Sequence, residues 1–151
     1  CGFLRAFEED TGEALAGFCV LGGQFAEGVD LRGERLIGAA VVGVGLPQID
    51  ECQELLRGYY ERLHGGGFDY AYRFPGMNKV LQAAGRVIRG EEERGAVLLI
   101  DSRFSTPAYR ALFPEHWSHA RRVRDEGELR AELLRFWGET DPQTAKDSHE
   151  F

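Results

Sequence analysis

Gln82, Arg86 and Arg89 are the side chains whose types and spacing best suit chemistry on a polyphosphate. If residues 77–93, MNKVLQAAGRVIRGEEE, form a helix, Arg86 lies about 40° and Arg89 about −20° from Gln82 at roughly 100° per residue. The three long polar side chains then share one stripe, while Val80, Ala84, Val87 and Ile88 fall on the opposite side and bury against a sheet. Gly85 lies beside the stripe, where a missing Cβ admits another surface, although a mid-helix glycine costs about 1 kcal/mol relative to alanine. Two guanidiniums one turn apart present planar forks that bond phosphate oxygens in a defined direction. The same periodicity also fits an ordinary amphipathic helix whose arginines pair with Glu91, Glu92 and Glu93. Periodicity alone leaves both readings open. A second candidate is Gly22-Gly23: a glycine-rich turn after a parallel strand can present unpaired N–H groups to phosphate, or it can be only a tight turn.

The elements that must position these residues follow from apolar patterning. Short apolar runs predict buried strands over 18–21, 39–46 and 96–100. Helical patterns fall at about 3–10, after Asp50, at about 78–89 following Pro75-Gly76, at about 107–112 and over 129–137. The helix after Asp50 has that residue as N-cap with Gln53 three positions on, carries Leu55, Leu56, Tyr59, Tyr60 and Leu63 at helical spacing, and stops in Gly65-Gly66-Gly67, a flexible breaker. Strands that are almost wholly apolar, alternating with helices, predict an α/β domain with a mostly parallel sheet covered on both faces. The chain has 151 residues, 43% of them hydrophobic, which suits one core and not two. Residues 1–137 are expected as that domain and 138–151, GETDPQTAKDSHEF, as a polar, disordered tail.

Charge and composition narrow the function classes. A net charge of −7 gives no general attraction to nucleic acid, so any such contact must be local. The basic excess is indeed local: residues 82–124 carry 8 basic and 5 acidic side chains, against 7 and 12 in residues 1–81. Cys1, Cys19 and Cys52 have no CxxC pair, and His116 and His119 are too few for a zinc site. The cysteines read as reduced thiols of a cytoplasmic protein. No apolar run is long enough to span a membrane. The start, Cys1-Gly2-Phe3-Leu4-Arg5, is neither a signal peptide nor an initiator methionine, so the chain is expected to begin mid-protein. Asp50-Glu51 opens a helix instead of ending a buried strand and reads as capping, not as a magnesium box. No Gly-x-x-x-x-Gly-Lys-Ser/Thr segment occurs. Arg121, Arg122 and Arg124 form a basic cluster that reads by default as a solvated helix end.

Gln82-Ala83-Ala84-Gly85-Arg86-Val87-Ile88-Arg89 resembles motif VI of superfamily 2 helicases, Gln-x-x-Gly-Arg-x-x-Arg. The segment from Gly22-Gly23-Gln24-Phe25-Ala26-Glu27-Gly28-Val29-Asp30 to Gly33 resembles motif V of their DinG/XPD branch. Between the two, Val42-Gly43-Val44-Gly45-Leu46-Pro47 is similar to the strand and Gly-Leu-Pro turn of that branch. Phe68-Asp69-Tyr70 and Pro75-Gly76-Met77-Asn78-Lys79 resemble its bacterial members. After motif VI, Asp101-Ser102-Arg103-Phe104 is similar to its Asp-x-Arg-Phe, followed by Tyr109, Leu112, Phe113, Pro114 and Trp117. The likeness covers about residues 15–120.

This resemblance implies a second RecA-like motor domain, without its own P-loop, facing ATP and Mg2+ held mainly by a first RecA-like domain of the same polypeptide. It implies that Arg86 and Arg89 meet the γ-phosphate, with Arg89 the arginine finger, and that Gln82 links nucleotide and DNA sites. It also implies that Gly28 belongs to the nucleotide side, that Asp30 stands near the nucleotide ribose or a motif VI arginine, and that Glu27 is the coupling residue. Gly22, Gly23, Gln24 and Phe25 are expected to contact single-stranded DNA through backbone amides. Movement in the 5′ to 3′ direction is implied for the parent protein. Any 4Fe–4S cluster of the parent belongs to the first domain, so none of these cysteines is assigned to it. The rival from another class is a non-enzymatic, degenerate RecA-like module that binds protein or nucleic acid and never meets ATP.

Overall fold

Strands β1 (Gly38–Val42) and β2 (Ala96–Ile100) pair in parallel, Gly38 opposite Ala96 and Val42 opposite Ile100. The computed structural model to which they belong describes residues 6–7, 12, 14–23, 31, 35–88 and 93–138. By contact, the chain divides into two units, Cys1–Phe113 and Pro114–Phe151. β2 has the predicted bounds, but β1 stops at Val42 and not at residue 46. The reason is Gly43, which still donates its N–H to Ile100 O at 3.0 Å but has φ +82°; that left-handed backbone turns the chain off the ladder. The segment after it is irregular, and through it Val44 and Leu46 reach the core.

The strand predicted over 18–21 is absent from the structure: residues 14–20 have no regular form and Phe18 is 95% exposed. An apolar run becomes a strand only where a neighbouring ladder satisfies its backbone. Here Leu21 alone packs on the core, and the chain turns directly after it. The predicted helix over 3–10 falls largely outside the described residues, in which residues 6–7 are helical.

Helix α1 (Glu51–His64) begins as the sequence predicts, with Gln53 N–H donating to Asp50 Oδ1 at 2.8 Å. The Gln53 side chain does something the capping pattern does not indicate. Pro75 has no N–H for the carbonyl four residues before it, that of Ala71; Gln53 Nε2 donates to Ala71 O instead, at 2.9 Å. Beside this contact, Tyr72 Oη donates to Glu54 Oε1 at 2.6 Å, and that bond holds the Tyr72 phenol above its usual range. α1 is thereby latched to a π-helical turn, Asp69–Arg73, that leads into α2 (Phe74–Ala84). Arg73 pairs with Asp69 at 3.0 Å and lies over the rings of Phe68 and Tyr109, 5.9 and 5.4 Å from their centroids.

The glycines ending α1 are not a flexible breaker. Gly65 N–H bonds Glu61 O at 3.0 Å as a left-handed cap, and Gly67 N–H bonds Glu61 Oε2 at 2.8 Å. The apolar positions Leu55, Leu56, Tyr59 and Leu63 remain exposed, and no residue of α1 is buried.

α2 carries the core against β1. Met77 and Val80 bury fully beside Val41, Val44, Phe104 and Tyr109, each such side chain contributing about 1.5–3 kcal/mol. It approaches closely at Gly76, where an added Cβ would lie 2.9 Å from both Leu46 Cδ2 and Val44 O. Beyond β2, Asp101 caps a 3-10 turn, Ser102–Ser105, by accepting from Arg103 N–H at 2.8 Å, and α3 (Pro107–Arg110) follows, ending before the predicted residue 112.

In the unit Pro114–Phe151, a 3-10 turn, Glu115–Trp117, precedes α4 (Glu126–Gly138), which starts three residues before the predicted 129. Asp125 explains the earlier start, because its Oδ1 accepts from Glu128 N–H at 2.9 Å. Residues 139–151 of the predicted tail lie outside the described residues. No helix among the described residues is long and apolar enough to cross a membrane.

Candidate functional site

α2 ends at Ala84, earlier than the predicted residue 89. Gly85 follows as a cap, its N–H donating to Leu81 O at 2.8 Å, after which Arg86 N–H reaches Ala83 O at 3.3 Å and Val87 N–H reaches Ala84 O at 3.1 Å. Bonds to the third residue back are the tightening common at a helix C-terminus. Two causes act together: glycine is the weakest helix former here, and Val87 is drawn into the core. Val87 packs so closely under Gly95, just before β2, that a Cβ on Gly95 would sit 2.3 Å from Val87 Cγ1. Arg86 therefore does not continue the helical stripe of Gln82, and Gly85 is a terminal and not a mid-helix glycine. Ile88, predicted on the buried side with Val87, is 47% exposed.

The turn nevertheless gathers the expected residues. Gln82, Gly85, Arg86 and Ile88 line one open concavity of about 580 Å³. Arg86 is half-buried and Gln82 exposed. Arg89 lies outside the described residues, as do Glu91 and Glu92, the carboxylates of the amphipathic-helix alternative.

On the other flank, Gly23 N–H donates to Val20 O at 2.8 Å and closes a four-residue turn with Gly22 at φ +79° in its third position. That conformation favours glycine. The Gly23 amide is consumed by the turn and is not available to phosphate, contrary to the sequence expectation, whereas Gly22 N–H has no partner among the described residues. Gln24, Phe25, Glu27, Gly28 and Asp30 fall outside them. Lys79, which closes the Pro75–Lys79 likeness but is given no role by the sequence, crosses this turn: a Cβ on Gly22 would lie 3.2 Å from Lys79 Cδ and 3.3 Å from Cε. The readable signal was a lysine three residues before Gln82, on a neighbouring position of the helix surface.

Other charged candidates have structural partners. Arg103 Nε and Nη2 donate to Asp101 Oδ1 and Oδ2 at 2.9 and 2.8 Å, and this side-chain pairing holds the Asp101 carboxyl below its usual range. The Asp-x-Arg-Phe segment thus locks a turn and sends Phe104 into the core. Arg121 pairs with Glu132 at 3.4 Å, and Arg124 N–H with Glu128 Oε2 at 2.8 Å, as expected of a solvated helix end. Cys19 and Cys52 are exposed thiols, and no group of three or more His, Cys, Asp or Glu is gathered for a metal ion among the described residues.

Residues 2–120 match the helicase C-terminal domain family. The ATP-dependent DNA helicase YoaA of Escherichia coli is 35% identical over 104 residues, 67% of this chain and 16% of that protein. The ATP-dependent DNA helicase chl-1 of Caenorhabditis elegans is 33% identical over 112 residues, 72% of this chain and 13% of that protein. A regulator of telomere elongation helicase 1 homolog from Culex quinquefasciatus is 28% identical over 118 residues, 72% and 12% of the two chains. The chain thus spans about a sixth or less of the length of these curated relatives. The family match over most of the chain, the relatives and the parallel α/β core agree on one conclusion: the chain belongs to the helicase C-terminal domain family, with the RecA-like fold, in the DinG/XPD branch of superfamily 2.

Proposed function

We propose that this chain is the second motor domain of an ATP-dependent DNA helicase that moves 5′ to 3′ on single-stranded DNA, with residues 1–137 forming the domain. The observation that carries the reading is the convergence of Gln82, Gly85 and Arg86 on one open concavity at the end of α2. A half-buried guanidinium beside an exposed amide suits the γ-phosphate of a nucleotide presented by another domain. Arg86 binds that phosphate, Arg89 is the arginine finger, and Gln82 connects it to the DNA side. Glu27 couples the two sites, while Gly28 and Asp30 stand near the nucleotide. ATP and Mg2+ are held mainly by the first RecA-like domain, in keeping with a sequence here that contains no Gly-x-x-x-x-Gly-Lys-Ser/Thr segment; any 4Fe–4S cluster of the parent is held there too. The reaction is transfer of the γ-phosphoryl group to water, giving ADP and phosphate.

The test uses the full-length protein. Arg89→Ala is expected to lower DNA-stimulated ATP hydrolysis by about 10³- to 10⁵-fold, roughly 4–7 kcal/mol of barrier, with nucleotide-free DNA binding nearly unchanged. Arg89→Lys should fail as well, because an ammonium lacks the planar fork. Arg86→Ala should resemble Arg89→Ala and also weaken ATP binding. Hydrolysis within a few-fold of wild type in both Arg89 variants would mean that these arginines belong to a solvated surface.

A further inference from the structure

We propose that Lys79 and the Gly22 turn form a phosphate-binding step beside the Gln82–Arg86 concavity, with the Lys79 ammonium as its charged donor. The inference rests on the motor-domain reading above and adds a residue that neither the motifs nor the family match assigns.

The lysine is held in place. Its stem runs across Gly22 so closely that a methyl group there would lie 3.2 Å from Cδ, 3.3 Å from Cε and 3.6 Å from Nζ. Gly45, from the segment after β1, faces the base of the same side chain, its added Cβ 3.7 Å from Lys79 Cβ. A long aliphatic stem laid along backbone loses little rotamer freedom when a ligand arrives. The ammonium makes no hydrogen bond or ion pair among the described residues, in contrast to Arg73 and Arg103, each of which has a carboxylate partner. The turn adds a second donor, since the Gly22 N–H is unused among the described residues while Gly23 closes the turn. A cation and an amide side by side on a rigid turn suit one phosphate oxygen. A Cβ at position 22 would press the stem aside by a few tenths of an ångström, in addition to the cost of a φ of +79° there.

A phosphate could reach this step from the DNA backbone or from the nucleotide, and the experiment separates the two. In the full-length protein, binding of fluorescent oligothymidylate without nucleotide is titrated across a range of salt for wild type, Lys79→Met and Lys79→Arg. Methionine retains a stem to cover Gly22 and removes the charge. A DNA phosphate predicts that Lys79→Met lowers the slope of log K against log salt by about 0.7, the value for one contact on a single strand, and converges with wild type at high salt. Lys79→Arg should restore the slope, and melting temperatures of all three proteins should agree, separating charge from folding. If the slope is unchanged and binding of a fluorescent ATP analogue with magnesium weakens in Lys79→Met alone, the bound phosphate is the nucleotide's. If neither responds, or if both variants shift alike with a lowered melting temperature, Lys79 is structural and the proposal is wrong. Wild-type protein that binds neither probe would overturn the motor-domain reading itself, which keeps the two failures apart.

Discussion

Asp101 illustrates how a family signature can be explained by folding alone. Its carboxylate accepts from the Arg103 guanidinium through both oxygens and also from the Arg103 amide, and the side-chain bond is the main cause of its lowered pKa. A carboxyl whose folded pKa lies below its unfolded value adds stability that is full above the unfolded value, about 4, and is lost as pH falls through the folded one. Asp101→Asn keeps a capping oxygen and removes the charge. Its melting temperature should be lower than wild type at neutral pH, by no more than the ~1 kcal/mol of a solvent-screened pair. The difference should close when melting is followed downward from about pH 4; a difference unchanged at low pH would assign the loss to geometry and not to charge. The candidate site was unevenly legible. Gln82 and Arg86, singled out by spacing, line one concavity, but α2 ends at Ala84, so they do not share the helical stripe inferred for them. The Gly23 amide was misjudged because a sequence does not say which of two adjacent N–H groups closes a turn.

Elements bounded by chemistry within a few residues were the readable ones. Both ends of α1 followed from Asp50 and Gly65, and β2 followed from five apolar residues between turn formers. Asp50→Ala removes the oxygen that accepts from Gln53 N–H and should cost about 1 kcal/mol, measured by denaturant unfolding. Because Gln53 also serves Ala71 O, the same variant should loosen protection of the Asp69–Arg73 turn against hydrogen exchange. Equal exchange in variant and wild type would show the cap and the latch to be independent. Elements decided by distant partners were not readable. The run 18–21 has strand composition but no ladder, and α2 stops early because Val87 is drawn beneath Gly95, eight residues away. The π-helical turn was hidden by Pro75, which looked like a helix start and is in fact the second residue of α2.

At the scale of the whole molecule, the chain has no P-loop segment in its sequence. Purified alone, it should turn over no ATP, because phosphoryl transfer needs both halves of the site; steady release of phosphate from contaminant-free protein, assayed over hours, would contradict this. The close contact at Gly76 has a mechanical consequence. With no side chain of its own at Gly76, α2 rests directly on Leu46 Cδ2 and the Val44 carbonyl of the irregular segment after β1, which makes that contact a pivot. Lys79 and Gln82 stand on the same side of that pivot, about 4.5 and 9 Å along the axis at 1.5 Å per residue. A tilt of α2 would therefore carry Gln82 about twice as far as Lys79, making the helix a lever with a fixed ratio between these two positions.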